Sequence, residues 1–302
     1  MFWLPEQLAQ LCVLALEKKI ETAYVVSLIR NRNLLPATPP YGLEDWPWTW
    51  RVRVLGQFAL ELPTREPGAS GARSQSRALE LLKALIAFGG RQIPLERIAD
   101  ALWPRIDSDY AQRSLTTTLH RLRKLLGDDS AIVLQEGKLS LHAHKFWIDS
   151  WALEQALTEC RALFRDETTP TAAVATFEAL QAGIERVMSL YRGQLLLQDH
   201  DYAWAAGPRQ QLHARLLRFI ADAAQALEKQ RGPGAAADLY NRGIDIDPLA
   251  ETLYRHLMTL HQRHGKTAAA LDAYERCRET LLTSLQSEPS PQTQQLYRSL
   301  GL

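Results

Sequence analysis

The sequence predicts a mainly α protein with a small β component, built in two parts. Three observations carry this. Period-two hydrophobic alternation is confined to two short stretches, 51–61 and 132–141, and three amphipathic helical stretches lie between them. After Asp149 no strand pattern is readable. In that second part an alanine-rich segment recurs at an offset of 34 residues. A chain of 302 residues is long enough for two domains with a substantial core.

Residues 5–33 read as helices, with Leu8, Leu11, Leu14 and Ala15 at helical spacing and a second run over 20–29. The proline-rich stretch 34–42 cannot be crossed by a helix and reads as a linker, so 1–45 forms an N-terminal helical segment. From Arg51 the period becomes two. Val52, Val54, Phe58 and Leu60 alternate with Arg51, Arg53, Gln57 and Glu61, which predicts a sheet buried on one face, with Gly56 at a bulge or turn. The stretch 67–76 breaks it. A broad apolar helix over 77–88 closes at Gly89-Gly90. A second helix over 95–102 puts Leu95, Ile98, Ala99 and Leu102 on one face and ends at Trp103-Pro104. Residues 107–109 can cap a third helix, 109–126, and 132–141 then reads as a hairpin turning at Gly137. Sheet, three helices and hairpin make a winged helix-turn-helix, assigned to 46–148.

The third helix has two chemically opposite faces. Ala111, Leu115, Leu119, Leu122 and Leu126 fall on one side. Arg113, Thr117, His120 and Lys124 fall opposite, flanked by Thr116, Arg121 and Arg123. Hydroxyls, an imidazole and four cations with almost no acid suit a phosphate-lined major groove. Arg113, near the helix start, can grip a guanine edge, worth about 1–3 kcal/mol of base discrimination, or stand as a solvated arginine. Thr116, Thr117 and His120 can reach phosphates or base edges. Arg121, Arg123 and Lys124 suit phosphates, although one of them can pair with Asp128 or Asp129 instead. Lys138 at the hairpin tip reads equally as a DNA contact or a plain turn lysine. The turn Arg105-Ile106-Asp107 reads equally as a surface for RNA polymerase or a capping loop.

Charge is distributed to match. Residues 1–50 hold 4 cations and 5 acids, 51–150 hold 15 and 11, and 151–302 hold 16 and 18. A basic middle between acidic flanks fits a nucleic-acid module joined to partner-binding parts.

Other chemistries find little support. Cys12, Cys160 and Cys277 lie far apart with no paired spacing, which argues for a reducing cytoplasm and against a disulfide scaffold or zinc cluster. The apolar run 11–16 is too short to span a bilayer, and the start has no signal-peptide pattern. His142 with His144 and His261 with His264 share faces, but neither pair has an obvious third metal ligand. No phosphate loop, nucleophile elbow or catalytic carboxylate pair is readable, so neither cofactor nor catalysis is expected. Trp46, Trp48 and Trp50 read as a packing seam.

The second part, 149–302, reads as helices near 150–165, 171–190, 208–230, 234–246, 249–264, 266–286 and 291–300. Ala235, Ala236, Tyr240 and Arg242 recur as Ala269, Ala270, Tyr274 and Arg276, which is the tetratricopeptide period. The second copy is extended before Pro289, so the array is irregular. Such arrays usually present a groove to another protein.

Several spaced motifs together resemble one family. These are Val54-Leu55-Gly56-Gln57-Phe58, Ile98-Ala99-Asp100-Ala101-Leu102-Trp103-Pro104, the helix segment 119–127 and Phe146-Trp147-Ile148-Asp149. Tyr191-Arg192-Gly193, Trp204, Pro208-Arg209 and Asp247-Pro248-Leu249-Ala250-Glu251 follow in order. The set resembles bacterial regulators of the antibiotic regulatory protein (SARP) type, in which a response-regulator-like winged helix precedes a bacterial transcriptional activator domain. The piece before residue 50 resembles the segment preceding such a winged helix in some large signal-transduction ATPases. The resemblance implies double-stranded DNA and RNA polymerase as partners, with homodimeric or tandem binding to repeated half-sites. The expectation is a cytoplasmic, sequence-specific transcription activator that is not an enzyme. Its alternative is a tetratricopeptide scaffold whose winged helix docks proteins or binds nucleic acid nonspecifically.

Overall fold

The computed structural model describes residues 4–61, 72–164, 170–199 and 201–300. It contains helices α1 (Pro5–Glu17), α2 (Thr22–Arg32), α3 (Ala72–Ala87), α4 (Leu95–Leu102), α5 (Ser108–Leu126) and α6 (Asp149–Leu163). These continue as α7 (Pro170–Leu190), α8 (Ala203–Arg231), α9 (Pro233–Ile246), α10 (Glu251–Arg263), α11 (Thr267–Leu285) and α12 (Pro291–Arg298). Six short strands accompany them: β1 (Trp50–Arg53), β2 (Ala59–Glu61), β3 (Ile93–Pro94), β4 (Ile132–Gln135), β5 (Lys138–Leu141) and β6 (Phe146–Ile148). The break expected at 67–76 lies partly outside the described residues, and α3 begins earlier than the expected 77.

Two compact units emerge, and they do not follow chain order. The first comprises residues 1–156 and 187–211, the second 157–186 and 212–302. In the first, β1 pairs antiparallel with β2 and parallel with β6, giving the order β2-β1-β6. The second sheet, β3-β5-β4, is antiparallel, with the wing hairpin β4–β5 in register Leu134 to Leu139. Helices α3, α4 and α5 pack together over a core that includes Leu81, Leu82, Leu85, Ile98, Leu115 and Leu122. Their apolar residues recur at helical spacing, so each helix buries a single stripe.

Residues 34–42 are not a free spacer. Pro36, Pro39, Pro40 and Tyr41 are buried, and the Tyr41 carbonyl accepts the Trp147 indole N–H at 3.0 Å. Tyr41 stacks on Trp48, donates its hydroxyl to the Ala143 carbonyl and accepts from Arg91. His144 Nε2 meets the Pro36 carbonyl at 2.8 Å, so that imidazole ties down the segment. Prolines stop the helix, but they do not stop the chain from packing. Trp46, Trp48 and Trp50 form the expected buried seam, with Trp50 stacked on Phe146 at 4.7 Å.

Residues 187–211 return to the first unit. The Leu196 N–H donates to the Val54 carbonyl at 2.7 Å, and the Lys83 ammonium holds both Asp199 oxygens at 2.8 Å. These contacts join residues more than a hundred positions apart, which no local period encodes.

In the second unit, α9 to α12 form the two predicted repeats. Ala236, Leu239, Tyr240 and Gly243 are buried on α9, and the positions 34 residues on, Ala270, Ala273, Tyr274 and Cys277, are buried on α11. Tyr240 stacks on His256 and Tyr274 on Tyr297, each on the second helix of its own repeat. Arg242 reaches Glu185, and Arg276 reaches Asn241 and Asp245 on the preceding repeat. Residues that recur in sequence therefore recur in role. Gly243 sits where three helices close up, since an added Cβ would lie 2.8 Å from Leu253 and 3.0 Å from Ile220. Gly243→Ala is expected to destabilise by about 1–2 kcal/mol through overpacking, read as a lower denaturation midpoint.

Candidate nucleic-acid interface

The expected recognition helix is α5, and its ends follow from its caps. Asp107 Oδ1 accepts the Asp109 N–H at 3.0 Å, and Gly127 takes the left-handed conformation (φ 77°) that closes the helix. Ala111, Leu115, Thr118, Leu119, Leu122 and Leu126 are buried, which fixes the helix's rotation. Arg113, Thr116, Thr117, His120, Arg121 and Lys124 are consequently all exposed. Arg113, Thr117, His120 and Lys124 recur at four-, three- and four-residue steps, making one outward stripe. Among the described residues no ion pair restrains Arg113, Arg121 or Lys124.

The threonines carry a chemical restriction. Thr116 and Thr117 each donate their hydroxyl to a carbonyl one turn back, Gln112 and Arg113, at 3.0 Å. Their oxygens keep lone pairs, so they suit base amino groups, while their methyl groups suit a thymine methyl.

Arg123 differs from its neighbours. It is half-buried, and Nη2 donates to the Ile132 carbonyl at 2.6 Å. Ile132 lies opposite Leu141, whose N–H goes to the Gly90 carbonyl instead. The Ile132 carbonyl therefore faces the open edge of the sheet, and Arg123 caps it from α5. Arg123 thus joins the helix to the wing through Nη2. Its Nε is buried without a partner, a cost that the same tie must offset. Arg123→Ala is expected to cost about 1–2 kcal/mol. Amide exchange across 132–135 should quicken, which hydrogen-exchange mass spectrometry reads directly.

A second tie fixes the link between helix and wing. Lys145 donates to Asp128 Oδ2 and to the Ser130 hydroxyl, both at 2.6 Å. None of the α5 cations takes Asp128. The Lys145 hydrogen bond holds the Asp128 carboxyl down at about 2, so this tie is present at neutral pH and is lost only as pH falls through that value. Lys145 was not foreseen from the sequence, because its partner is seventeen residues away across a turn.

Between α5, the start of α4 and the wing lies a groove of about 590 Å³. Thr116, His120, Arg123 and Lys138 line it above a floor of Leu115 and Leu119. Helix and hairpin residues predicted separately thus meet at one surface, while Arg113, Thr117, Arg121 and Lys124 lie outside it. Gln112 also lines the groove, one turn before Thr116. The spacing that selected Thr116 would have found it, and its amide can pair with adenine. In the turn before α5, Asp107 serves as the helix cap. Arg105 (φ 79°) and Ile106 are exposed, as is Tyr110 on the first turn.

Comparison with known proteins places this architecture. The profile of the bacterial transcriptional activator domain matches residues 148–300. Regulatory protein AfsR from Streptomyces griseus is 27% identical over 232 residues, covering 76% of this chain and 22% of AfsR. The chain therefore spans about a fifth of that relative's length. The solved structure of Mycobacterium tuberculosis EmbR, in complex with a low-affinity phosphopeptide, superposes with a TM-score of 0.57 at 20% identity. It covers 83% of this chain and 65% of the EmbR chain, which shows a shared fold: a winged helix followed by a helical domain. The motif-based resemblance to SARP-type regulators is thus matched by distant homology, and with about half its length matched by the profile, the chain belongs to the bacterial transcriptional activator domain family.

Proposed function

We propose that this regulator is a sequence-specific DNA-binding transcription activator, with α5 entering the major groove and the wing beside it. The exposed stripe Arg113, Thr117, His120 and Lys124 carries the reading, on a helix that follows two others and precedes a hairpin with Lys138 at its tip. Phosphate contacts from Arg121, Lys124 and Lys138 supply most of the affinity, and Arg113, Gln112 and the threonines read bases. Arg105 and Ile106 form the surface offered to RNA polymerase. The helical half serves dimerisation, signal reception or contact with the transcription machinery.

Selecting bound fragments from genomic DNA with the purified protein tests this. A single repeated motif, bound with steep salt dependence, is the expected result. Uniform weak binding to all fragments would overturn it. That outcome favours a protein-interaction scaffold, a reading supported by the stacked repeats of α9 to α12.

A further inference from the structure

Helix α1 carries more apolar surface than its neighbours cover. Ala9, Cys12 and Leu16 are buried and form one arc. On an adjacent arc Leu4, Leu11 and Leu14 are 53%, 61% and 51% exposed, with Leu8 and Ala15 half-buried beside them. Leu4, Leu8, Leu11 and Ala15 follow steps of four, three and four, the spacing of a coiled-coil seam. A helix apolar around most of its circumference is normally buried on both sides.

We propose that this face pairs with the same face of a second copy of the chain, across a two-fold axis at Leu11. The seam is self-complementary when the helices run antiparallel. Leu11 then meets Leu11, Leu8 falls opposite Leu14, the small Ala15 leaves room for the aliphatic stem of Gln7, and Leu4 lies under that of Lys18. A parallel pair would set Lys18 against Lys18. A lipid surface fits the charge poorly, because the polar arc holds Glu6, Gln10 and Glu17 where membrane-bound helices carry cations.

Area sets the strength. A helix of 13 residues is about 20 Å long, and its open stripe buries roughly 400 Å² per copy, half of the roughly 800 Å² a side of a standard interface. The pair is therefore weak in free solution. It becomes effective when two copies are held on neighbouring sites, where effective concentrations are of millimolar order. The pairing is independent of DNA binding; its use on adjacent half-sites rests on the proposed function.

Two measurements test the surface. First, Leu11→Cys should form a disulfide-linked dimer on mild oxidation, while the wild type, with its three buried cysteines, should not. A mixture of Leu8→Cys with Leu14→Cys should cross-link, and Leu8→Cys alone should not. Second, Leu11→Glu should abolish the concentration-dependent rise in sedimentation coefficient. On DNA bearing two half-sites it should also lose about tenfold of cooperativity, with single-site affinity unchanged. A Leu11→Cys protein that gives no disulfide-linked dimer on oxidation, or a Leu11→Glu protein that associates as the wild type does, overturns the proposal. Failure to bind DNA would overturn the proposed function alone, because cross-linking and sedimentation need no DNA.

Discussion

Reversing two charges on α5, Arg113→Glu together with Lys124→Glu, is expected to weaken binding to the selected operator on the order of 10²–10³-fold at physiological salt. The two side chains lie on one outward stripe, eleven residues and so about 16 Å apart, and each would meet a different part of the duplex. Loss of a bidentate base contact by Arg113 accounts for about 1–3 kcal/mol. On the proposed docking Lys124 would contribute through counterion release, so the slope of log affinity against log salt should flatten by about one for the phosphate contact removed. Carboxylates left facing phosphates add repulsion. Both residues are exposed and outside the helical core, so the thermal midpoint should stay put. Unchanged operator binding would end the major-groove reading. Arg121→Glu alone should act in the same direction but less strongly, and with no loss of base discrimination.

Periodicity made the parts of this chain legible that it governs. Leu115, Leu119 and Leu122 recur at helical steps, so the buried face of α5, and hence its exposed stripe, is legible in the sequence itself. The repeat was equally legible, because burial at Tyr240 and at Tyr274 answers to the same local packing problem. What stayed hidden depends on distant partners. The parallel pairing of β1 with β6 joins Val52 to Ile148, and the return of residues 187–211 depends on the Lys83–Asp199 pair. Arg123 shows the limit within one helix. By spacing it belongs to the cationic flank, yet the unpaired carbonyl of Ile132 draws it to the wing. A hydrogen-bond deficit at a sheet edge leaves no periodic trace in sequence.

Asp149→Ala is expected to lower the stability of the first unit by about 2 kcal/mol at pH 7, and by more in mild acid. The reason lies in where the β1–β6 ladder stops. Its last register pair is Val52 with Ile148, after which the chain turns into α6 and the ladder's next acceptors disappear. The Asp149 carboxylate replaces them. It accepts the Val54 N–H at 2.9 and 3.0 Å and the Leu55 N–H at 3.0 Å, at a site only 1% exposed. Removing it leaves two buried donors unpaired, each costing about 1–3 kcal/mol, partly offset because a buried charge is removed as well.

That offset has the burial of the carboxylate as its cause. Burial pushes the Asp149 carboxyl up to about 6, while the backbone N–H bonds and nearby Arg53 pull the other way without prevailing. A group whose folded pKa is raised binds its proton more tightly in the native state. Its contribution to stability is therefore greatest below about pH 4, declines as pH rises towards 6, and is flat above. Asp149→Asn removes this dependence. The stability difference between wild type and Asp149→Asn, from urea denaturation followed by tryptophan fluorescence, should shrink by up to about 3 kcal/mol between pH 4 and pH 6 and then level off. His142, whose pKa burial lowers, contributes with the opposite sign, but it is present in both proteins and cancels in the difference. A difference constant across that window would show that the N–H donors fully replace the lost hydration, and that the ladder ends on a carboxylate at no electrostatic cost.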